Sequence, residues 1–236
     1  MIKALLILTY IGFYTNSFAL AAQNDELSAE KIAALLLSAR ATVSSNPKFI
    51  ADPTTSGITA ASFLESVKEK YKTNSGKPLE VSNEDGSQQV LEAIESVVKD
   101  ALDGKYKDKW SSGIYPNKFI PARFAREVTV KFSNSMKGKM LLRLTTRKEF
   151  LVNKDNAADE WENKIIENNF LKGGSVAFSE KTKFQNKNVF RFITPEKFTT
   201  TCLSCHGFDA GKKLHPSGTS GEEGAFGGAI SLIMYK

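Results

Sequence analysis

Apolar positions recur every three or four residues through the first half of the chain, the spacing that gives a helix one apolar face. Ala29, Ile32, Ala33, Leu36 and Leu37 predict a helix over 28–38 with Ser28 as its N-cap, and Ala60, Phe63, Leu64, Val67 and Tyr71 predict a second over 59–71. Pro47, Pro53 and Gly57 punctuate the loop between them, and residues 74–78 end the second helix. Val90, Leu91, Ile94, Val97, Val98, Ala101 and Leu102 form the clearest stripe, read as the core face of a third helix closed by Asp103 and Gly104. A fourth helix over 122–133 turns Phe124, Val128 and Phe132 inward, and residues 79–82 suggest a short strand.

From Lys139 the period changes to two. Met140, Leu142 and Leu144 alternate with Leu141 and Arg143, which predicts a strand over 139–146. Asn156 is read as the cap of a helix that carries Trp161, Ile165 and Ile166 and ends before Gly173 and Gly174. Residues 176–180 and 189–194 read as two strands of a hairpin around Asn186, Lys187 and Asn188, and residues 227–235 as a last strand. Helices first and strands second predict an α+β fold, a small antiparallel sheet with a helical N-terminal layer. No internal repeat is visible.

The first 21 residues change the picture. Lys3, the apolar run 4–13 and the small residues Ala19 and Ala21 read as a secretory signal cleaved near Ala21, leaving one domain over 22–236. The run falls short of the roughly 18 apolar residues a membrane span needs, so membrane contact is expected only through the signal. The 236 residues carry a net charge of +6. Runs such as Lys105, Lys107 and Lys109 read as solvated faces, and a mild excess of positive charge also suits docking to an acidic partner protein. Export argues against nucleic acid, and no basic motif with interleaved aromatics is present.

The chemistry concentrates in Cys202-Leu-Ser-Cys205-His206-Gly207, which holds both cysteines and one of the two histidines. Cys-x-x-Cys-His is the attachment signature of a c-type haem: two thiols add to two vinyl groups on one porphyrin edge, and the adjacent imidazole ligates the iron. An exported chain has this motif in the compartment where such attachment occurs. Three alternatives stay open: a redox dithiol, a zinc site of Cys202, Cys205, His206 and His215, and a structural disulfide.

If haem is held, His206 is the proximal iron ligand and the sixth ligand decides the function. His215, Met136, Met140 and Met234 are the candidates, with a lysine or Tyr115 behind them. Phe190, Phe192, Ile193, Phe198 and Leu203 are expected to shield the ring, and Arg191 to pair with a propionate or to lie on the outer strand face. No Ser-His-Asp order and no phosphate-binding glycine loop is visible, which favours an electron carrier or a sensor over an enzyme. A haem enzyme would have to use His215 as its acid or base.

Four segments occur here in the order of one family: Asn153-x-x-Asn156-Ala-x-Asp159-x-Trp161-Glu162, Arg191-Phe-Ile-Thr-Pro195, the Cys202 motif, and Gly224-x-x-Gly227-Gly-Ala-Ile-Ser231. Over roughly residues 27–233 the chain resembles the exported c-type haem family called Tll0287-like, and Phe119-Ile-Pro-Ala-x-Phe124-Ala-Arg126 is similar to one branch of it. The resemblance implies a PAS-like α+β fold with one covalent haem c, found both alone and fused to signalling modules. Two departures stand out. Val152-Asn153-Lys154 replaces the family's Arg-Asn-Pro, and no spare cysteine exists to face His206 as it does in some relatives. The expectation is a periplasmic monohaem cytochrome that transfers electrons to a redox partner protein. The alternative is a redox or gas sensor for NO or CO that acts through a separate partner.

Overall fold

The computed structural model describes residues 6–110, 115–215 and 217–236, with side chains from Gln23 onward. Lys3 and Ala4 of the expected signal lie outside the described residues. The first element is a single helix, α1 (Leu6–Ser44), where a helix starting at Ser28 was expected. The reason is local. No Gly or Pro interrupts residues 13–46, and the Ser28 hydroxyl donates back to the Asn24 carbonyl at 2.8 Å instead of capping a new start. Among the described residues no helix is long and apolar enough to cross a membrane.

Helices α2 (Pro47–Ala51), α3 (Ala60–Ser75), α4 (Ser87–Leu102) and α5 (Pro121–Ser135) complete the N-terminal layer. Thr59 and Ser62 form a capping box at the start of α3, and Gly76, at φ +70°, ends it. The strand expected over 79–82 is irregular; its chain instead wraps the start of α4, where the Ser82 amide donates to the Ser87 hydroxyl at 2.8 Å. The stripe of α4 is buried from Val90 to Ala101, and Phe49, Phe63, Phe119 and Phe124 pack ring against ring at the centre of the layer.

The sheet holds β1 (Met140–Thr145), β2 (Phe178–Phe184), β3 (Lys187–Lys197) and β4 (Phe226–Tyr235), all antiparallel, in the order β1-β4-β3-β2. Gln185 and Asn186 make the β2–β3 turn with φ +51° and +64°, the left-handed pair that a two-residue hairpin needs. Pro195 is tolerated inside β3 because the pairing with β2 stops at Ile193, leaving a free edge beyond it.

Alternation assigns the two faces of the sheet. Leu142, Leu144, Phe190, Phe192, Ile230, Leu232 and Met234 join the core shared with the helical layer. Ile193 and Ala229 point the other way, onto Ile165, Ile166 and Phe170 of the segment led by α6 (Glu160–Asn168). The cap of α6 is Asp159, in a capping box with Glu162; Asn156, the expected cap, sits in a short 3₁₀ turn before it. The fold is therefore α+β: a four-stranded antiparallel sheet with helices on both faces. Neighbouring strands β3 and β4 are joined by a long insertion that carries α7 (Thr200–His206) and α8 (Phe208–Leu214). The cysteine motif is that insertion.

Candidate functional site

Helix α7, about two turns long, holds Cys202 to His206. Cys202 and Cys205 lie three apart and so share a face. Both are partly exposed and unbridged. The Thr199 hydroxyl lies 3.2 Å from the Cys202 sulfur. Gly207 ends the helix in an extended conformation, ψ −175°, where a Cβ would sit 2.5 Å from the Leu203 carbonyl oxygen. The chain can therefore fold straight into α8.

At the end of α7 the His206 ring meets His215, its Nδ1 2.8 Å from His215 Nε2 with the rings edge to face. His215 is 3% exposed, and its Nδ1 has no partner. Burial, then the neighbouring His215 and the Arg40 charge, push His206 down to about 4, so its imidazole is neutral at ordinary pH. His215 is lowered too, by burial. A neutral imidazole with Nδ1 engaged offers the Nε2 lone pair, which is the form a metal takes.

The surroundings come from distant parts of the chain. Phe198, at the end of β3, lies 5.2 Å from the His206 ring and is held between Gly221 and Gly227, where any Cβ would come within 3 Å of its ring. Phe150 packs edge-on against both Phe198 and His215. Arg40 of α1 pairs with Glu196 of β3 and has a buried Nε without a partner. Burial first, then the neighbouring Cys205, push the Tyr115 hydroxyl up to about 12. Tyr115 is itself held by Arg123, which donates to its carbonyl at 2.7 Å. Arg40 and Phe150 carried no local sequence signal, because their closeness to His206 exists only once the sheet ends and α1 are assembled.

Other expected site residues are elsewhere. Arg191, expected beside a propionate or on the outer strand face, is not a surface residue and is taken up by carboxylates of the chain. It is 2% exposed under α6, 2.8 Å from Asp159 and 3.2 Å from Glu162, with its guanidinium over Trp161 at 4.2 Å. It also precedes the end of β3 at Lys197 by about 20 Å of strand. Met140 and Met234 are paired across β1 and β4 at the sheet end opposite the motif, about 17 Å of strand from Thr145. Met140 packs beside Gly86, and Met136 is buried in the core of the helical layer. None of the three reaches His206. Phe190 and Phe192 belong to the helical core and Ile193 to the opposite face, so of the expected wall Phe198 and Leu203 remain.

The other readings of the motif fare poorly against this geometry. Among the described residues no three His, Cys, Asp or Glu side chains converge as a metal cluster, and His206 and His215 spend facing nitrogens on each other, so the zinc set is not assembled. A thioredoxin-like dithiol calls for a parallel strand–helix–strand unit, whereas every named strand pair here is antiparallel. For haem c the donors fit: two free thiols on one helix face, a neutral imidazole with Nε2 unengaged, apolar rings beside it, and an arginine nitrogen without a partner. Comparisons with curated proteins and with solved structures return no match. Residues 21–234 match the family described as Tll0287-like, and with that span covering nearly the whole chain, the protein belongs to the Tll0287-like family.

Proposed function

We propose that this chain is an exported, periplasmic monohaem c-type cytochrome that passes electrons to a redox partner protein. The observation that carries the reading is His206: neutral, held through Nδ1, and set immediately after two unbridged thiols on one face of α7. In this reading Cys202 and Cys205 would hold a haem c by two thioether links and His206 Nε2 would ligate its iron. Haem c supplies a one-electron iron centre. The chain's part is to fix the imidazole, to pack Phe198 and Phe150 beside it against water, and to offer Arg40 to a propionate in place of Arg191. The mild excess of positive charge would steer an acidic partner toward it.

A second reading, a sensor of NO or CO acting through a separate partner, is favoured by one specific observation. The chain has two histidines and four methionines; Met136, Met140 and Met234 are remote, and His215 is engaged with His206 Nδ1. No described His or Met is then offered to the second axial position, and a weakly held position admits a small ligand. Visible spectra of protein matured in a haem-c-competent host, oxidised, reduced and reduced under CO, decide between the two. A low-spin reduced spectrum indifferent to CO supports the carrier, a prompt CO shift supports the sensor, and a colourless protein removes both.

A further inference from the structure

His215 presents its Nε2 to His206 and buries its Nδ1 without a partner. We propose that His215 is a positioning residue on the proximal side, the hydrogen-bond acceptor of the His206 N–H, and not an axial ligand. The inference rests on the reading of His206 as the iron ligand and deepens it.

The tautomers follow from the contacts. The two nitrogens of an imidazole point in different directions, and His206 Nδ1 is taken by His215 at 2.8 Å, so ligation falls to Nε2. Ligation through Nε2 uses that lone pair and leaves the His206 proton on Nδ1, aimed at His215 Nε2. His215 therefore accepts with Nε2 and carries its own proton on Nδ1, the buried atom without a partner. His215 sits at the Nδ1 edge of His206 and so leaves the Nε2 edge to the iron that edge would hold.

The fold fixes this placement. The His215 amide donates to the Gly211 carbonyl at 2.8 Å at the end of α8, and the Phe150 ring closes on the imidazole at 4.7 Å edge to face. The Ser217 hydroxyl then ties the following loop to the Glu149 carbonyl at 2.6 Å, and the Gly221 amide donates to the His206 carbonyl. Both rings are thus held from both sides. Metal-bound histidines generally donate their second N–H to a carbonyl or carboxylate, which orients the ring and makes it a stronger donor. Here a neutral imidazole takes that place. A stronger donor favours the ferric state and lowers the reduction potential.

The test is the midpoint potential of the haem-loaded protein, with His215→Leu filling the space without an acceptor and His215→Gln restoring an acceptor oxygen. Haem content by intact mass and the CO response are measured first on each. The expected result is full haem content in both variants and a higher potential for His215→Leu, by about tenfold in the oxidised-to-reduced ratio, or about 59 mV for one electron. His215→Gln should lie nearer the unsubstituted protein. An unchanged potential in a fully loaded His215→Leu overturns the proposal. So does a new CO response confined to the His215 variants, which would make His215 the sixth ligand. Absence of haem from the unsubstituted protein overturns the underlying reading and this one with it, and the mass distinguishes that case before any titration.

Discussion

Replacing Glu162 by Gln changes one charge and almost no volume, in the least exposed ion pair among the described residues. Glu162 is fully buried; its Oε2 accepts from the Thr145 hydroxyl and the Asp159 amide, both at 3.0 Å, and its Oε1 from Arg191 at 3.2 Å. Gln at this position keeps the capping geometry of α6 and removes the carboxylate that faces the Arg191 guanidinium. Breaking a buried pair by removing one partner costs about 3–5 kcal/mol, because the other charge is left without compensation. Asp159 remains 2.8 Å from Arg191 and is partly exposed, so the lower end, about 3 kcal/mol, is expected. Glu162→Ala should cost about 1 kcal/mol more through loss of the cap. Arg191→Met combined with Glu162→Gln should cost clearly less than the two single changes together, since no buried cation is left stranded. Denaturant titration with tryptophan fluorescence is the assay, and Trp161, stacked under Arg191, reports the site itself. A cost below about 1 kcal/mol for Glu162→Gln, or strict additivity in the double variant, would refute the reasoning.

Gly207→Ala drives a Cβ against the Leu203 carbonyl, distorting the end of α7; haem content should fall sharply while the exposed Ser204→Ala keeps it, and equal contents would count against the geometry. Phe198→Ala opens a void between Gly221 and Gly227 and should cost about 3–4 kcal/mol in a denaturant titration. A cost under 1 kcal/mol would mean the ring is not held as described. For the apoprotein, His206 is held near 4 against an unfolded value near 6.5. The unfolded chain then binds the extra proton first, so this contribution is complete above about pH 6.5 and is lost as pH falls toward 4, amounting to roughly 3 kcal/mol. Stability of a Cys202→Ala, Cys205→Ala apoprotein should fall over that window, and adding His206→Phe should flatten the slope; parallel slopes would sink the argument.

The residues that declared themselves in the sequence are those whose job is set by near neighbours. The α4 stripe and the alternation of β1 are local periods, and they reappear with nearly the expected bounds. Ser28 and Asn156 misled because both are good cap residues where the chain has a better option: an uninterrupted helix in one case, the Asp159–Glu162 capping box in the other. Arg191 alternates correctly as a strand residue, but the carboxylates that bury it come from another element, 29 residues away in the case of Glu162. Met140 was read from chemistry alone, and the register of β1 against β4 puts it at the wrong end of the sheet. Arg40 and Phe150 could not be found from local pattern, since each meets the motif only across the assembled layers.

The most direct test of the account is the intact mass of the exported protein from a haem-c-competent host, beside that of Cys202→Ala, Cys205→Ala. The account predicts a chain heavier by one haem that survives acid extraction, with both thiols closed to alkylation and the addition lost in the double variant. A chain of unmodified mass with two alkylatable thiols would contradict it.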